Sequence, residues 1–168
     1  LQGSPGIELR TNIPSAWMMK MNFVMDIAQQ SPYIGDGKLG PNGIPANFFS
    51  DINVRKGFAH AFDYAAFIES AMNGYAQKPY GPVLIGFPTA NPNNPQYTHD
   101  LRKAREYLQK AWDGRLWSQG FKMTLVYSTG SKQRQVALEI LRDNLESMNP
   151  KFRMELASLP FAGYVGAI

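Results

Sequence analysis

Apolar positions change their spacing several times along this chain, and each change marks an element. Ile7 to Thr11 (IELRT) alternates apolar and polar side chains, the pattern of a half-buried strand. Trp17 to Val24 (WMMKMNFV) is a second extended candidate, rich in methionine. From Ser50 the spacing turns helical: Val54, Phe58, Ala61, Phe62, Ala65, Ile68 and Met72 make one apolar face. Ser50 or Asp51 is placed to cap its start, by accepting a bond from an otherwise unpaired backbone N–H. Gly74 is placed to end it. Asp63 can cap a second helix inside this span, which predicts a break near Ala61–Tyr64. Asp100 caps the next helix, whose stripe is Leu101, Ala104, Tyr107, Leu108, Ala111 and Trp112 and whose end is Gly114.

The clearest unit lies towards the C-terminus. Phe121 to Ser128 (FKMTLVYS) sets Phe121, Met123, Leu125 and Tyr127 on one side and Lys122 and Thr124 on the other, a strand. Ser131 caps a helix with Ala137, Leu141, Leu145 and Met148 on one face, Val136 and Ile140 beside it, and Pro150 as its stop. Phe152 to Leu159 (FRMELASL) is the following strand. Strand, helix and strand at this spacing form a βαβ crossover, which sets the two strands parallel and right-handed. The fold class is therefore α/β, with a mixed sheet.

Two stretches break the pattern. Residues 26–50 carry Gly35, Gly37, Gly40, Pro41, Gly43 and Pro45, a density that opposes regular structure and predicts a long surface loop. Residues 75–98 hold Pro79, Pro82, Pro88, Pro92 and Pro95, which donate no backbone hydrogen bonds, so a second loop is expected there.

Composition narrows the class. The 168 residues suffice for a single domain over 1–168, or for one lobe of something larger. Hydrophobic residues at 44% against 18% charged describe a folded chain rather than a disordered one. The net charge of +4 is dispersed with no basic run, which describes a solvated basic surface better than a nucleic-acid or membrane footprint. No cysteine is present, which excludes disulfides, thiolate metal sites and cysteine nucleophiles. No apolar stretch approaches a bilayer-spanning length. The chain starts at Leu1 directly before strand-like sequence, so it is expected to be a piece of a longer protein.

Catalytic constellations are missing. His60 and His99 are the only histidines, and neither has a second histidine or carboxylate at helical spacing, so there is no HExxH zinc pattern. Neither a GxSxG elbow, a Walker A sequence nor GxGxxG occurs. No metal ligand set and no cofactor site is expected, and no enzyme activity. His60, between Phe58 and Phe62, is expected to pack against its helix neighbours, and His99 to be solvated. Tyr107, Trp112 and Trp117 lie near Arg102, Lys103, Arg105, Lys110 and Arg115, a pattern that stacking on nucleic acid would also produce. An amphipathic helix explains it without that partner.

Several segments, in order, resemble one family. Asp51-Ile-Asn-Val-Arg-Lys-Gly-Phe-Ala-His-Ala-Phe-Asp63 resembles the D-x-x-V-R-x-A-x-x-x-A-x-D segment of the family 5 extracellular solute-binding proteins, which include oligopeptide, dipeptide and nickel binders. Asn22 sits where that family has a strand ending in F-N, and Gly74 matches the glycine that closes its paired helices. Gly81-Pro82-Val83 looks like its G-P-x-P loop. Tyr97 to Leu108 (YTHDLRKAREYL) resembles Y-x-x-D-x-x-K-A-x-x-L-L, and Leu125 to Gly130 (LVYSTG) resembles the L-x-Y-N-T/S strand end. Order and spacing across nearly all 168 residues carry the resemblance. The departures are Asp26 to Ser50, which looks inserted, Gly57 for the usual alanine, Tyr64 where arginine often follows the aspartate, and a longer connection from Asp113 to Gly120.

What the resemblance implies is a mixed-sheet lobe of a type II periplasmic binding protein-like fold, here the first part of the second of two lobes. It implies the ligand-capturing subunit of an ABC importer, periplasmic or otherwise extracytoplasmic, which takes peptides and delivers them to permease subunits in the membrane. Nickel chelates, oligosaccharides and opines are the alternative cargoes. A nucleic-acid-binding or hydrolytic α/β domain is the remote alternative. The lobes close on the ligand by a hinge, so the remaining lobe of the same protein is a partner. Ligands of α/β lobes sit outside the carboxyl ends of the strands, and helix starts offer N–H donors. That places Tyr127, Ser128, Thr129 and Gly130 nearest the cleft, with Gln133 one turn into the helix and Pro82 and Val83 as a second wall. Ser128 and Thr129 have an ordinary competing role, capping the helix that follows. Arg55 and Lys56 are expected in surface or inter-lobe ion pairs.

Overall fold

A computed structural model of the chain describes Gly6, Glu8 and residues 17–166. Two compact units can be described, Leu1–Met21 with Pro79–Pro95 and Asn22–Lys78 with Gln96–Ile168. In the first unit, the proline-rich run folds as successive turns, with Phe87 N–H donating to Leu84 O and Ala90 N–H to Phe87 O. Asn94 N–H donates to Asn91 O in a third turn. The strand expected over Ile7–Thr11 lies outside the described residues. Trp17 to Val24, expected to be extended, has no assigned regular structure and joins no described strand.

The second unit holds the helices and strands. β1 (Gly35–Gly40) is followed by α1 (Ile52–Ala61), α2 (Tyr64–Met72), α3 (Leu101–Lys110) and α4 (Arg115–Gln119). Next come β2 (Phe121–Ser128), α5 (Lys132–Met148), β3 (Phe152–Leu159) and α6 (Phe161–Gly166). β2 and β3 pair in parallel from Phe121 opposite Phe152 to Ser128 opposite Leu159. The βαβ unit is therefore present, and its two described strands are parallel as expected.

Three aspartates start three helices, because an ionised side chain at the cap accepts an N–H that has no partner in the first turn. Asp51 Oδ1 accepts from Asn53 N, Asp63 Oδ1 from Ala66 N and Asp100 Oδ1 from Lys103 N. The break between α1 and α2 falls at Phe62–Asp63, inside the expected interval.

Most of residues 26–50 are exposed or half-buried, but part of the segment reaches inward. Ile34, Ile44, Phe48 and Phe49 are buried there, because the glycines and prolines bend the chain back and let apolar side chains reach the core. Phe48 packs 5.4 Å from the Phe121 ring, and Phe121 lies 4.7 Å from Phe152. The Arg55 guanidinium donates to the carbonyls of Phe49 and Ser50, tying this segment to α1. Lys56 stands over the Tyr107 ring.

The connection after α3 also differs from expectation. The helix stops at Lys110, not Gly114, because Trp112 and Asp113 adopt left-handed backbone (φ 53° and 54°), followed by Gly114 at 81°. Asp51 Oδ2 accepts the Trp112 N–H at 2.6 Å and so holds the turn from 61 residues away. The lengthened segment 113–120 then contains α4.

Gly57 explains one departure from the family pattern. A Cβ there would stand 2.6 Å from Leu108 Cγ and Cδ2, so α1 and α3 approach more closely than alanine allows.

Candidate functional site

The carboxyl ends of β2 and β3 lie together because the two strands are paired along their whole length: Ser128 is opposite Leu159, the last residue of each strand. Thr129 N–H donates to Leu159 O at 2.7 Å and extends the pairing one residue into the turn. Ser131 N–H donates to Ser128 O at 3.1 Å, which turns the chain into α5. Gly130 makes that turn at φ 84°, a left-handed conformation that glycine adopts without a Cβ clash.

The start of α5 is open. Ser131 occupies the cap position, yet its side chain makes no capping bond, contrary to expectation. The first backbone bond across this turn runs from Gln135 N–H to Ser131 O. The N–H groups of Lys132, Gln133 and Arg134 precede it and face the end of a 17-residue helix, where the aligned peptide dipoles favour negative charge.

Ser128 does not cap the helix. Its side chain is buried, and its Oγ accepts a hydrogen bond from Arg134 Nη1 at 2.8 Å. The Arg134 guanidinium carbon also lies 5.0 Å from the centre of the Tyr164 ring on α6. Sequence reasoning missed Arg134. The signal that could have found it is its place three residues after the cap, on the turn that faces the strand ends.

Of the residues expected at the cleft, Ser128, Thr129, Gly130 and Gln133 are brought together at this end of the sheet, Thr129, Gly130 and Gln133 being exposed. Tyr127 is half-buried opposite Ser158. Pro82, exposed, and Val83, half-buried, are described with the first unit.

The two histidines are placed elsewhere. His60 is buried as expected, stacked 5.8 Å from Tyr107, with Nδ1 2.9 Å from Thr98 O. His99 is exposed as expected, and its Nδ1 also lies 3.1 Å from Asp63 Oδ2. Lys78 donates to Tyr97 O and stands over the Tyr64 ring, and its burial pushes its ammonium below the ordinary lysine range. Burial, and then the nearby Tyr97, push the Tyr64 phenol up. The rings considered for stacking on nucleic acid are engaged within the chain, Tyr107 by His60 and Trp117 by Phe152. Among the described residues no group of three or more His, Cys, Asp and Glu is arranged to hold a metal ion. None of the described helices is long and apolar enough to cross a membrane.

This arrangement sets backbone N–H donors and a guanidinium at the carboxyl end of the paired strands. Residues 3–165 match the family of bacterial extracellular solute-binding proteins, family 5 (middle region). The chain belongs to that family, which is one of binding proteins. Its fold is that of solved periplasmic binding proteins. DppA from Helicobacter pylori, an ABC transporter-associated periplasmic binding protein in complex with peptide STSA, is 23% identical with TM-score 0.60, over 70% of this chain and 22% of that one. The oligopeptide-binding protein of Thermus thermophilus, complexed with a pentapeptide, is 21% identical with TM-score 0.56, over 68% and 20%. NikA from Brucella suis, in complex with Fe(III)-EDTA, is 19% identical with TM-score 0.57, over 70% and 25%. The chain thus spans a fifth to a quarter of the length of these structures. No curated protein matches it in sequence.

Proposed function

We propose that this chain is part of the solute receptor of an ABC-type importer, which captures short peptides outside the cytoplasm and passes them intact to permease subunits in the membrane. The observation that carries this reading is the strand-end site of a family 5 chain: an Arg134 guanidinium beside the open start of α5. A peptide offers such a site a carboxylate for the cation and the free N–H groups. Thr129, Gly130 and Gln133 line the approach, and Tyr127 and Ser128 support it. The remaining lobe of the same protein completes the cleft, and no cofactor takes part.

The test is calorimetric titration of the full-length gene product with short peptides, followed by mass spectrometry of the recovered ligand. Stoichiometric binding with the peptide intact is expected. Cleaved peptide, or no binding across a mixed peptide set, would refute the reading. A non-peptide solute is the second reading. It is favoured by similar structures solved with Fe(III)-EDTA and with mannohexaose. Mass spectrometry of solute released from freshly purified, denatured protein separates the two.

A further inference from the structure

We propose that Ser128 and Tyr164 are positioning residues, which hold Arg134 in the orientation that receives an anionic group of the ligand. The proposal rests on the strand-end reading given above. Ser128 is only 7% exposed, too deep for a ligand to reach, and its hydroxyl oxygen accepts from Arg134 Nη1 at 2.8 Å. Tyr164 holds the other side of the same group, with the guanidinium carbon 5.0 Å from its ring centre. The two supports come from separate elements, the last residue of β2 and the middle of α6.

Arginine presents five N–H donors in a rigid planar fork and has no acceptor. One Nη1 donor is taken by Ser128, and the tyrosine ring makes a cation–π contact with the guanidinium carbon. No salt bridge to Arg134 is found among the described residues. The donors that remain suit a planar, two-oxygen anion such as a carboxylate. A long side chain fixed in advance loses less rotamer freedom when the ligand arrives. Removing either support should therefore reduce the preference for an anionic group more than it reduces affinity in general.

The experiment uses the full-length gene product and two probes, tri-alanine with a free C-terminal carboxylate and the same peptide as its amide. Wild type is expected to prefer the carboxylate. Ser128→Ala and Tyr164→Leu should each cut that preference about threefold or more, while Ser128→Thr and Tyr164→Phe keep it. Equal weakening towards both probes would mean a merely structural role and overturn the proposal. A wild-type preference that survives Ser128→Ala and Tyr164→Leu overturns the positioning role alone. A wild type with no preference, or with no binding of either probe, sinks the strand-end reading and the positioning role with it. If Ser128→Ala fails to fold, the Tyr164→Leu and Tyr164→Phe pair decides.

Discussion

Replacing Gly57 by alanine sets two effects of known sign against each other. Alanine in a helix interior is favoured over glycine by about 1 kcal/mol, through backbone entropy. Against this, the new methyl would stand 2.6 Å from Leu108 Cγ and Cδ2 and 3.4 Å from Ala104 O. Leu108 and Ala104 are both fully buried, so neither can swing towards solvent. Forcing a methyl into a packed core costs about 1–3 kcal/mol. The clash is expected to win, leaving Gly57→Ala less stable by about 0–2 kcal/mol. Denaturant unfolding of the full-length protein measures this as a lower midpoint with an unchanged slope. Leu108→Ala alone should cost about 2–5 kcal/mol through its cavity. In the double variant the methyl has room, so the two costs should fall short of additive by about 1–3 kcal/mol. A Gly57→Ala protein that is more stable than wild type, with additive effects in the cycle, would refute the close α1–α3 approach.

Three further outcomes follow from the caps and the left-handed turn. Asp51→Ala removes both the α1 cap and the acceptor of the Trp112 N–H, so it should cost about 1 kcal/mol for the cap and a further 1–3 kcal/mol for the orphaned donor, read as a lower unfolding midpoint. Asp113→Gly relieves a left-handed residue at an exposed position and should raise stability by up to about 1 kcal/mol, seen as a higher midpoint in the same assay. The Asp100 carboxyl is held below its ordinary range, first by the Lys103 backbone N–H. A depressed carboxyl pKa stabilises above the unfolded value of about 3.9 and loses that contribution as pH falls through the folded value. Asp100→Asn should therefore flatten the acid limb of the stability–pH profile, and an unchanged limb would remove Asp100 from that account.

Several features were legible because their causes are local. An aspartate ahead of a helix bonds an N–H two or three residues on, so Asp51, Asp63 and Asp100 announced the starts of α1, α2 and α3. Period-two alternation within Phe121–Ser128, a capped helix and a second short apolar run sufficed for the parallel pairing of β2 and β3. The strand-end location followed from that topology, which is how Ser128, Thr129, Gly130 and Gln133 came into view.

Tertiary contacts decided the rest. Glycine and proline in residues 26–50 predict irregular backbone, yet β1 forms at Gly35–Gly40, and Ile34, Ile44, Phe48 and Phe49 meet the core. The left-handed turn at Trp112–Asp113 depends on a carboxylate 61 residues earlier, and Gly57 on a leucine of another helix. Arg134 looks like any surface arginine of an amphipathic helix until Ser128 and Tyr164 close on it. Local chemistry along the chain thus determined where helices and strands begin and how the βαβ unit pairs. Which side chains are buried, and which partners hold Arg134, came only with three-dimensional packing, because those forces act between residues far apart in sequence.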